Sequence, residues 1–171
     1  MPVFVALLRA VNVGGTGKLV MSELRDLCGE LGFGDVRTYI QSGNLVLTAD
    51  LDIAGVKGLL QDALEQRMGK PVGVLVRTPA EIASVLERNP YPDAPPNRVL
   101  VMFLDEAPAP GLLDGVETPG GEEVAASGRE IYVYFPNGQG RSRLKMPMAG
   151  VGTARNLNTV RKLRDMSLAI P

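Results

Sequence analysis

The order of apolar patterns in the first half of the chain is the feature that most constrains the fold. Two continuous apolar runs are typical of buried strands, and two longer segments repeat apolar residues at helical spacing. Between those two helical segments, two short stretches flank a turn, as in a hairpin. In chain order these segments are 3–8, 21–31, 36–40, 45–47, 53–68 and 72–76. This β-α-β-β-α-β order predicts a ferredoxin-like plait.

Individual residues refine the first plait. Val36, Thr38 and Ile40 are expected on one side of the second strand, because side chains alternate along a strand. The pair Gly43-Asn44 is expected to supply the positive φ angles of the hairpin turn. Asp52 is a candidate N-cap for the second helix.

The following segments predict a linker and further strands. A helix is expected over 79–87 after Thr78, a good N-cap residue, and four prolines within 89–97 predict an extended connector. Beyond the connector the sequence predicts a strand, a hairpin and a final helix. These elements cover 99–104, then 123–126 with 130–135, and lastly 156–167.

The whole pattern predicts an α+β protein made of two tandem ferredoxin-like (βαββαβ) plaits, the second less regular than the first. The first subdomain is predicted at 1–78. The linking helix and the Pro-rich connector occupy 79–97, and the second subdomain with the C-terminal helix occupies 98–171. Duplication is inferred from topology, because the two halves share no visible residue identity.

The chain has no histidine and a single cysteine, which removes whole classes of chemistry. Ser-His and Cys-His nucleophiles and His-ligated metals are excluded. We therefore expect no metal site and no cofactor. Cys28 lies on the apolar stripe of the first helix, so we expect a buried structural thiol. Whether the protein is an enzyme stays open, with Tyr39 and Lys18 as the candidate proton carriers.

The N-terminal apolar run is short, no basic residue precedes it, and Arg9 interrupts it. It therefore does not match a signal peptide. No stretch approaches the length of about 20 apolar residues needed to span a bilayer. We expect a cytoplasmic protein without a membrane partner.

The first polar stretch that a plain fold does not require runs from residue 9 to residue 18. It follows a strand and precedes a helix, where backbone N–H groups can form a cradle for an anion. It is not a P-loop, because Asn12 and Leu19 stand where that motif needs Gly and Ser or Thr. A flexible loop that uses glycine for turning is the alternative. The candidate ligand-binding residues here are Arg9, Asn12, Gly14, Gly15 and Lys18.

The second stretch is the hairpin turn with its flanking residues. A tight turn explains the glycine, but it does not require three neutral hydrogen-bonding side chains side by side. Such a group suits a ligand with donors and acceptors, such as a base or a sugar. A purely structural hairpin remains the alternative. The candidates are Tyr39, Gln41, Ser42 and Asn44.

The third stretch is a basic region near the C-terminus. Residues 137–164 contain seven basic residues and no acidic one, whereas the preceding part of the chain is acidic overall. A positive region of this kind can bind phosphate or carboxylate. The alternative is that Thr153 or Asn156 caps the last helix and that its basic residues face solvent. The candidates are Arg141, Thr153, Arg155, Asn156 and Asn158.

These three stretches together resemble the signatures of the domain-of-unknown-function family 1697. They are 7–9 with 12–15, then 39–44, and finally 153–156 with 158–160. The resemblance implies a duplicated α/β-plait architecture and no established activity, substrate or cofactor. Two residues depart from the family pattern: Ala10 replaces a usual Gly, and Leu157 replaces a usual Trp.

Three functional hypotheses follow. The first is a small anionic or nucleotide-like ligand, bound in a cleft between the two subdomains by the three stretches. The second is an RNA- or protein-binding module. A net charge of −1 and the lack of interleaved aromatic and basic residues argue against nucleic acid. The third is that the polar stretches are purely structural. The sequence leaves the oligomeric state open.

Overall fold

The computed structural model describes residues 1–11 and 18–171. Its described residues form eight strands and four α-helices, which confirms the predicted α+β class. In chain order the elements are β1 (Val3–Leu8), α1 (Met21–Glu30), β2 (Gly34–Tyr39), β3 (Asn44–Thr48), α2 (Ile53–Met68), β4 (Val74–Arg77), α3 (Pro79–Glu87), β5 (Val99–Phe103), β6 (Glu123–Ser127), β7 (Glu130–Tyr134), β8 (Thr153–Asn156) and α4 (Leu157–Leu168). The chain divides into two compact units. The first unit comprises Met1–Ala83 with Leu163–Pro171, and the second comprises Ser84–Lys162.

The first unit contains a four-stranded antiparallel sheet in the order β2-β3-β1-β4. Alternate residues of β1, among them Phe4, Ala6 and Leu8, belong to a core shared with α1 and α2. The intervening Val5 and Leu7 are also fully buried, so β1 is covered on both faces. A strand buried on both faces reads as a continuous apolar run, which is why β1 was predicted with its observed bounds.

Side-chain caps begin α2 and α3 as predicted. The Asp52 side chain accepts a hydrogen bond from the Gly55 N–H at 2.7 Å and caps α2. Gly69 ends that helix in the left-handed conformation, with φ 74°. At the start of α3, the Thr78 hydroxyl accepts from the Glu81 N–H, and the Glu81 carboxylate accepts from the Thr78 N–H. This reciprocal pair is a capping box.

Strand β2 differs from the predicted pattern at both ends. It begins at Gly34, and the register with β3 shifts between Gly34 and Arg37, where Asp35 has φ 47°. It ends at Tyr39, so Ile40 is not an inward strand residue. Ile40 opens the turn with φ 50° and is 50% exposed. Positive φ therefore falls on Ile40 and Gly43 rather than on Gly43 and Asn44.

The second unit contains a second antiparallel sheet in the order β6-β7-β5-β8. The sequence predicted the hairpin of β6 and β7 but missed β8. The segments 104–122 and 135–152, every residue of which is described, contain turns and one 3₁₀ turn but no α-helix. Side chains from these segments, including Leu112, Leu144 and Met146, pack against the β5 and β7 core instead.

The Pro-rich segment 89–97 is not the extended connector that was predicted. The Tyr91 N–H donates to the Asn89 side chain at 3.0 Å, and the Ala94 N–H donates to the Tyr91 carbonyl at 3.2 Å. A 3₁₀ turn, Pro96–Arg98, follows directly. Proline fixes φ at a value that suits turns as well as extended chain, so its frequency alone did not decide the conformation.

Within residues 1–11 and 18–171, no helix combines the length and the apolar character needed to cross a membrane. The same part of the chain holds no group of three or more His, Cys, Asp or Glu residues placed to bind a metal ion.

Cys28 is fully buried in the core of the first unit, as predicted, and burial raises the pKa of its thiol to about 12. We expect a thiol reagent at pH 8 to label the folded protein only as fast as it unfolds. Because the folded pKa is raised, the neutral thiol's contribution to stability is complete below about pH 9 and declines as the pH rises towards 12. Labelling rates measured against urea concentration check this, with Cys28→Ala as the unlabelled control. Rapid labelling without denaturant would contradict it.

Candidate functional site

Three loops have their described residues at one end of the first sheet: 9–11 with 18–20, 40–43 and 69–73. We call this region the loop end. Strands β1 and β2 finish there and β3 and β4 begin there, because each pairs antiparallel with its neighbour. The Leu8 N–H donates to the Gly43 carbonyl at 2.9 Å, and the Arg9 N–H donates to the Gly73 carbonyl at 2.8 Å. The backbone at Arg9 is therefore held between the hairpin and the loop that follows α2.

The hairpin is fixed from inside by Asn44, which is fully buried. Its side-chain amide donates to the Tyr39 carbonyl at 2.8 Å and to the Ser42 hydroxyl at 2.9 Å. These bonds span the turn and hold its two sides together. Asn44 thus organises the residues around it rather than being presented to solvent.

Gly43 brings the hairpin into close contact with the start of the 9–20 loop. Its φ is 88°, and a Cβ at this position would lie 2.8 Å from the Leu8 Cβ and 2.8 Å from the Val11 Cγ2. No larger residue fits without moving β1 or the hairpin.

The other candidates of the first unit differ in exposure. Gln41 and Lys18 are exposed, whereas Arg9, Tyr39 and Ser42 are partly buried. All of them lie on or beside the loops of the loop end. Asn12, Gly14 and Gly15, which the sequence also predicted as binding residues, lie outside the described residues.

The loops of the loop end are basic in sequence. Its three loops contain Arg9, Lys18 and Lys70, and their sequences include no Asp or Glu. The segment between β3 and α2, at the other end of the sheet, carries Asp50 and Asp52. Lys70 was missed by the sequence reasoning because only the strand order brings the loop after α2 beside β1.

The second unit contains the remaining candidates. Thr153 and Arg155 alternate on β8 and are 7% and 6% exposed. The Arg155 guanidinium donates to the Thr153 hydroxyl at 2.7 Å and to the Ala154 carbonyl at 2.9 Å. Burial lowers the pKa of Arg155 to about 10. The Asn156 side chain accepts a hydrogen bond from the Thr159 N–H at 2.9 Å. Asn156 therefore caps the start of α4, as the structural alternative for this residue predicts.

Arg141 and Asn158 are exposed. Arg141 lines a cavity of about 220 Å³ together with Glu122 and Ser142. The Ser142 hydroxyl and the Gly120 N–H donate to the Glu122 carboxylate at 2.7 and 2.8 Å. The Ser142 bond, followed by backbone hydrogen bonds, holds the pKa of Glu122 below its usual value. An anion next to Arg141 in this cavity would therefore also face a carboxylate.

A buried arginine occurs at the same register in both sheets. Arg77 on β4 pairs with Val5 of β1, and Arg155 on β8 pairs with Val101 of β5. Arg77 is 1% exposed. The sequence alone does not reveal it, because Arg77 ends an otherwise apolar run and only the strand pairing relates it to Arg155.

We expect Asn44→Ala to reduce the free energy of unfolding by about 1–3 kcal/mol, because it removes two hydrogen bonds and leaves a partly buried carbonyl without its donor. Asn158→Ala, at an exposed position on α4, is the matched control and should change it by less than about 0.5 kcal/mol. Urea denaturation measures both. Equal effects would contradict the organising role of Asn44.

A second prediction concerns the close contact at Gly43. Gly43→Ala should destabilise the protein by about 2 kcal/mol or more, because the new Cβ meets Leu8 and the backbone is left-handed. Gly58→Ala is the control, since a Cβ in that part of α2 meets nothing within 4 Å. That change should stabilise by about 0.5–1 kcal/mol. The same denaturation curves test both variants, and a neutral Gly43→Ala would rule out the contact.

Comparison with known proteins gives a family and a fold. A search of curated proteins finds no match. Among solved structures, a conserved bacterial protein from Streptococcus pneumoniae is similar with a TM-score of 0.79 and 23% identity, over 96% of this chain and 98% of that chain. At this identity the likeness shows the fold alone. The profile of the family described as protein of unknown function DUF1697 matches residues 1–132. The matched part includes the first two polar stretches and most of the chain, so the protein belongs to the DUF1697 family.

Proposed function

We propose that the protein binds a small anionic ligand, phosphate- or nucleotide-like, at the loop end of the first sheet. One observation carries this proposal: three loops with three basic residues and no acidic one are bonded together at a single end of the sheet. Basic residues grouped in this way attract an anionic ligand through their combined positive potential.

The roles of the residues follow from their chemistry. Arg9 can hold a phosphate or carboxylate through paired, charge-assisted hydrogen bonds, and Lys18 and Lys70 add positive potential around it. Gln41 and Ser42 offer donors and acceptors to a sugar or a base. The Asn44 bonds fix the turn before any ligand arrives, which lowers the entropy cost of binding.

The proposal covers binding and no reaction. Tyr39 and Lys18 are the two candidate proton carriers at the loop end. The larger ligand site predicted from the sequence also includes Arg141, Thr153, Arg155, Asn156 and Asn158, and that part stays a prediction.

The second unit offers weaker support for an anion site. The corresponding loop after β5, residues 104–122, contains five acidic residues and no basic one. Arg141, Arg143 and Lys145 line cavities together with acidic residues of that loop, so the charge there is mixed. The uniform charge favours the first unit.

We also propose that both units are plaits of the ferredoxin-like type. The two sheets have the same strand order, and β1 and β5 pair with their neighbours in matching registers. In the second unit, irregular segments stand where helices would connect β5 to β6 and β7 to β8. The proposal thus treats the second unit as a plait that lacks two helices.

The RNA-binding alternative gains no support from Tyr132 of β7. Tyr132 is fully buried, and its hydroxyl donates to the Val85 carbonyl at 2.5 Å. A ring in that position cannot stack on a base.

The test is calorimetric titration with pyrophosphate and with ADP at low salt. We expect Arg9→Gln to weaken binding by about tenfold or more, as loss of a charged hydrogen bond does. Lys70→Gln should weaken it by about two- to fivefold through lost potential. Arg161→Gln removes an exposed positive charge from α4 and is the matched control.

Binding should also weaken as salt increases, because exposed charges are screened. Melting curves of each variant verify that the fold is intact. If neither probe binds, or if Arg161→Gln weakens binding as much as Arg9→Gln, the loop end is not the site.

A further inference from the structure

A small pocket in the second unit lies outside the three polar stretches that the sequence predicts as binding segments. It has a volume of about 270 Å³ and is lined by residues of the Pro-rich connector and of the β6–β7 hairpin. Its walls include the rings of Tyr91 and Tyr134, and the carboxylates of Asp93 and Glu123 stand among the lining residues. The anion site proposed above does not involve it.

The two tyrosines form an aromatic corner. Their ring centroids are 5.9 Å apart, and the ring planes are inclined by 36°. Both tyrosines line the pocket, so a compact group that enters this space contacts them. The face of an aromatic ring carries negative electrostatic potential, so this space favours a cation.

The carboxylates add to that preference. Glu123 and Tyr134 are directly paired across β6 and β7, so their side chains project from the same face of the sheet. Burial raises the pKa of Tyr91 to about 12, and the nearby Glu123 carboxylate contributes to the rise. Of the described residues that line the pocket, none is basic.

The connector is built to keep Tyr91 in place. Pro90 and Pro92 flank it and restrict its backbone. The Tyr91 N–H donates to the Asn89 side chain, and its carbonyl accepts from the Ala94 N–H. The aromatic corner therefore exists before a ligand binds.

We propose that this pocket binds a small organic cation of the quaternary ammonium class. The aromatic faces offer no hydrogen-bond acceptor of ordinary strength, so a primary ammonium could replace only part of its bonds to water, through the carboxylates of Asp93 and Glu123. A quaternary ammonium has no N–H to satisfy and presents methyl groups that pack against rings. The pocket is smaller than the usual drug-sized cavity, which suits a group of this size.

The experiment is an NMR titration of the full chain with choline and with tetramethylammonium. We expect saturable shifts at the Tyr91 and Tyr134 ring signals, with a dissociation constant of about the millimolar range. The control ligand is the neutral isostere of choline in which carbon replaces nitrogen. Because it has the same shape without the charge, it should bind at least about fivefold more weakly.

Variants separate the contributions of ring and carboxylate. Tyr134→Phe keeps the aromatic face and should retain binding, whereas Tyr134→Leu should weaken it by about fivefold or more. Glu123→Gln, at an exposed position that does not threaten the fold, should weaken binding by about two- to fivefold. Glu106→Gln removes an exposed carboxylate of the same unit that does not line the pocket, and it should have no effect.

Three results would overturn the proposal. They are the absence of saturable shifts with both cations, equal binding of the neutral isostere, and equal effects of Glu123→Gln and Glu106→Gln. None of these results bears on the anion site, because the two probes carry opposite charges and the variants lie in different units.

Discussion

The backbone hydrogen bond from Leu8 to Gly43 is the contact on which the arrangement of the first unit's loop end depends. It joins the end of the central strand β1 to the hairpin of β2 and β3. The bond can form because Gly43 has no side chain to separate the two segments. Asn44 then fixes the turn from within, and the adjacent Arg9 is bonded to Gly73 on its other side. Backbone hydrogen bonds thus hold the start of the loop at Arg9 to the hairpin and to the loop after α2.

The second unit also anchors its hairpin turn with a polar side chain, but it uses different residues. Asn44 begins β3 opposite Tyr39, and Glu130 begins β7 opposite Ser127, so the two hairpins correspond. In the first, a neutral amide donates to the Tyr39 carbonyl. In the second, the Arg88 guanidinium donates to the Ser127 carbonyl at 2.7 Å and to the buried Glu130 carboxylate at 2.6 Å. A buried polar group therefore anchors the turn in each unit, and the Asn44 of the second polar stretch has a structural role in this chain.

Sequence periodicity predicted those elements whose burial is simple. The predicted bounds were close to the observed ones for β1, α1, α2 and α3. The three helices each have one apolar face, and β1 is apolar along its whole length. β8 was missed since it alternates Thr153 and Arg155, polar residues that are nonetheless buried. Burial of an arginine depends on partners elsewhere in the fold, and no local pattern reveals that.

The candidate site was predictable to a similar extent. The polar stretches at Arg9 and at the hairpin were recognised because they exceed what a turn requires. Lys70 and the aromatic corner of Tyr91 and Tyr134 were not recognised, because strand order and a folded connector bring those residues to their neighbours. Local sequence identifies residues whose side chains could bind or react, whereas topology decides which of them lie together.

Net charge is a poor guide to the partners of this protein because its charge is segregated. The whole chain carries −1, close to neutral. Yet every charged residue in the loops of the loop end is basic. Every charged residue among the described residues that line the aromatic pocket is acidic. Electrostatic interactions of exposed groups decay within about 10 Å at ordinary salt. A ligand therefore interacts mainly with the charges of the loop or pocket that it enters. The net charge of the whole chain does not show that the charged residues of these two regions have opposite signs.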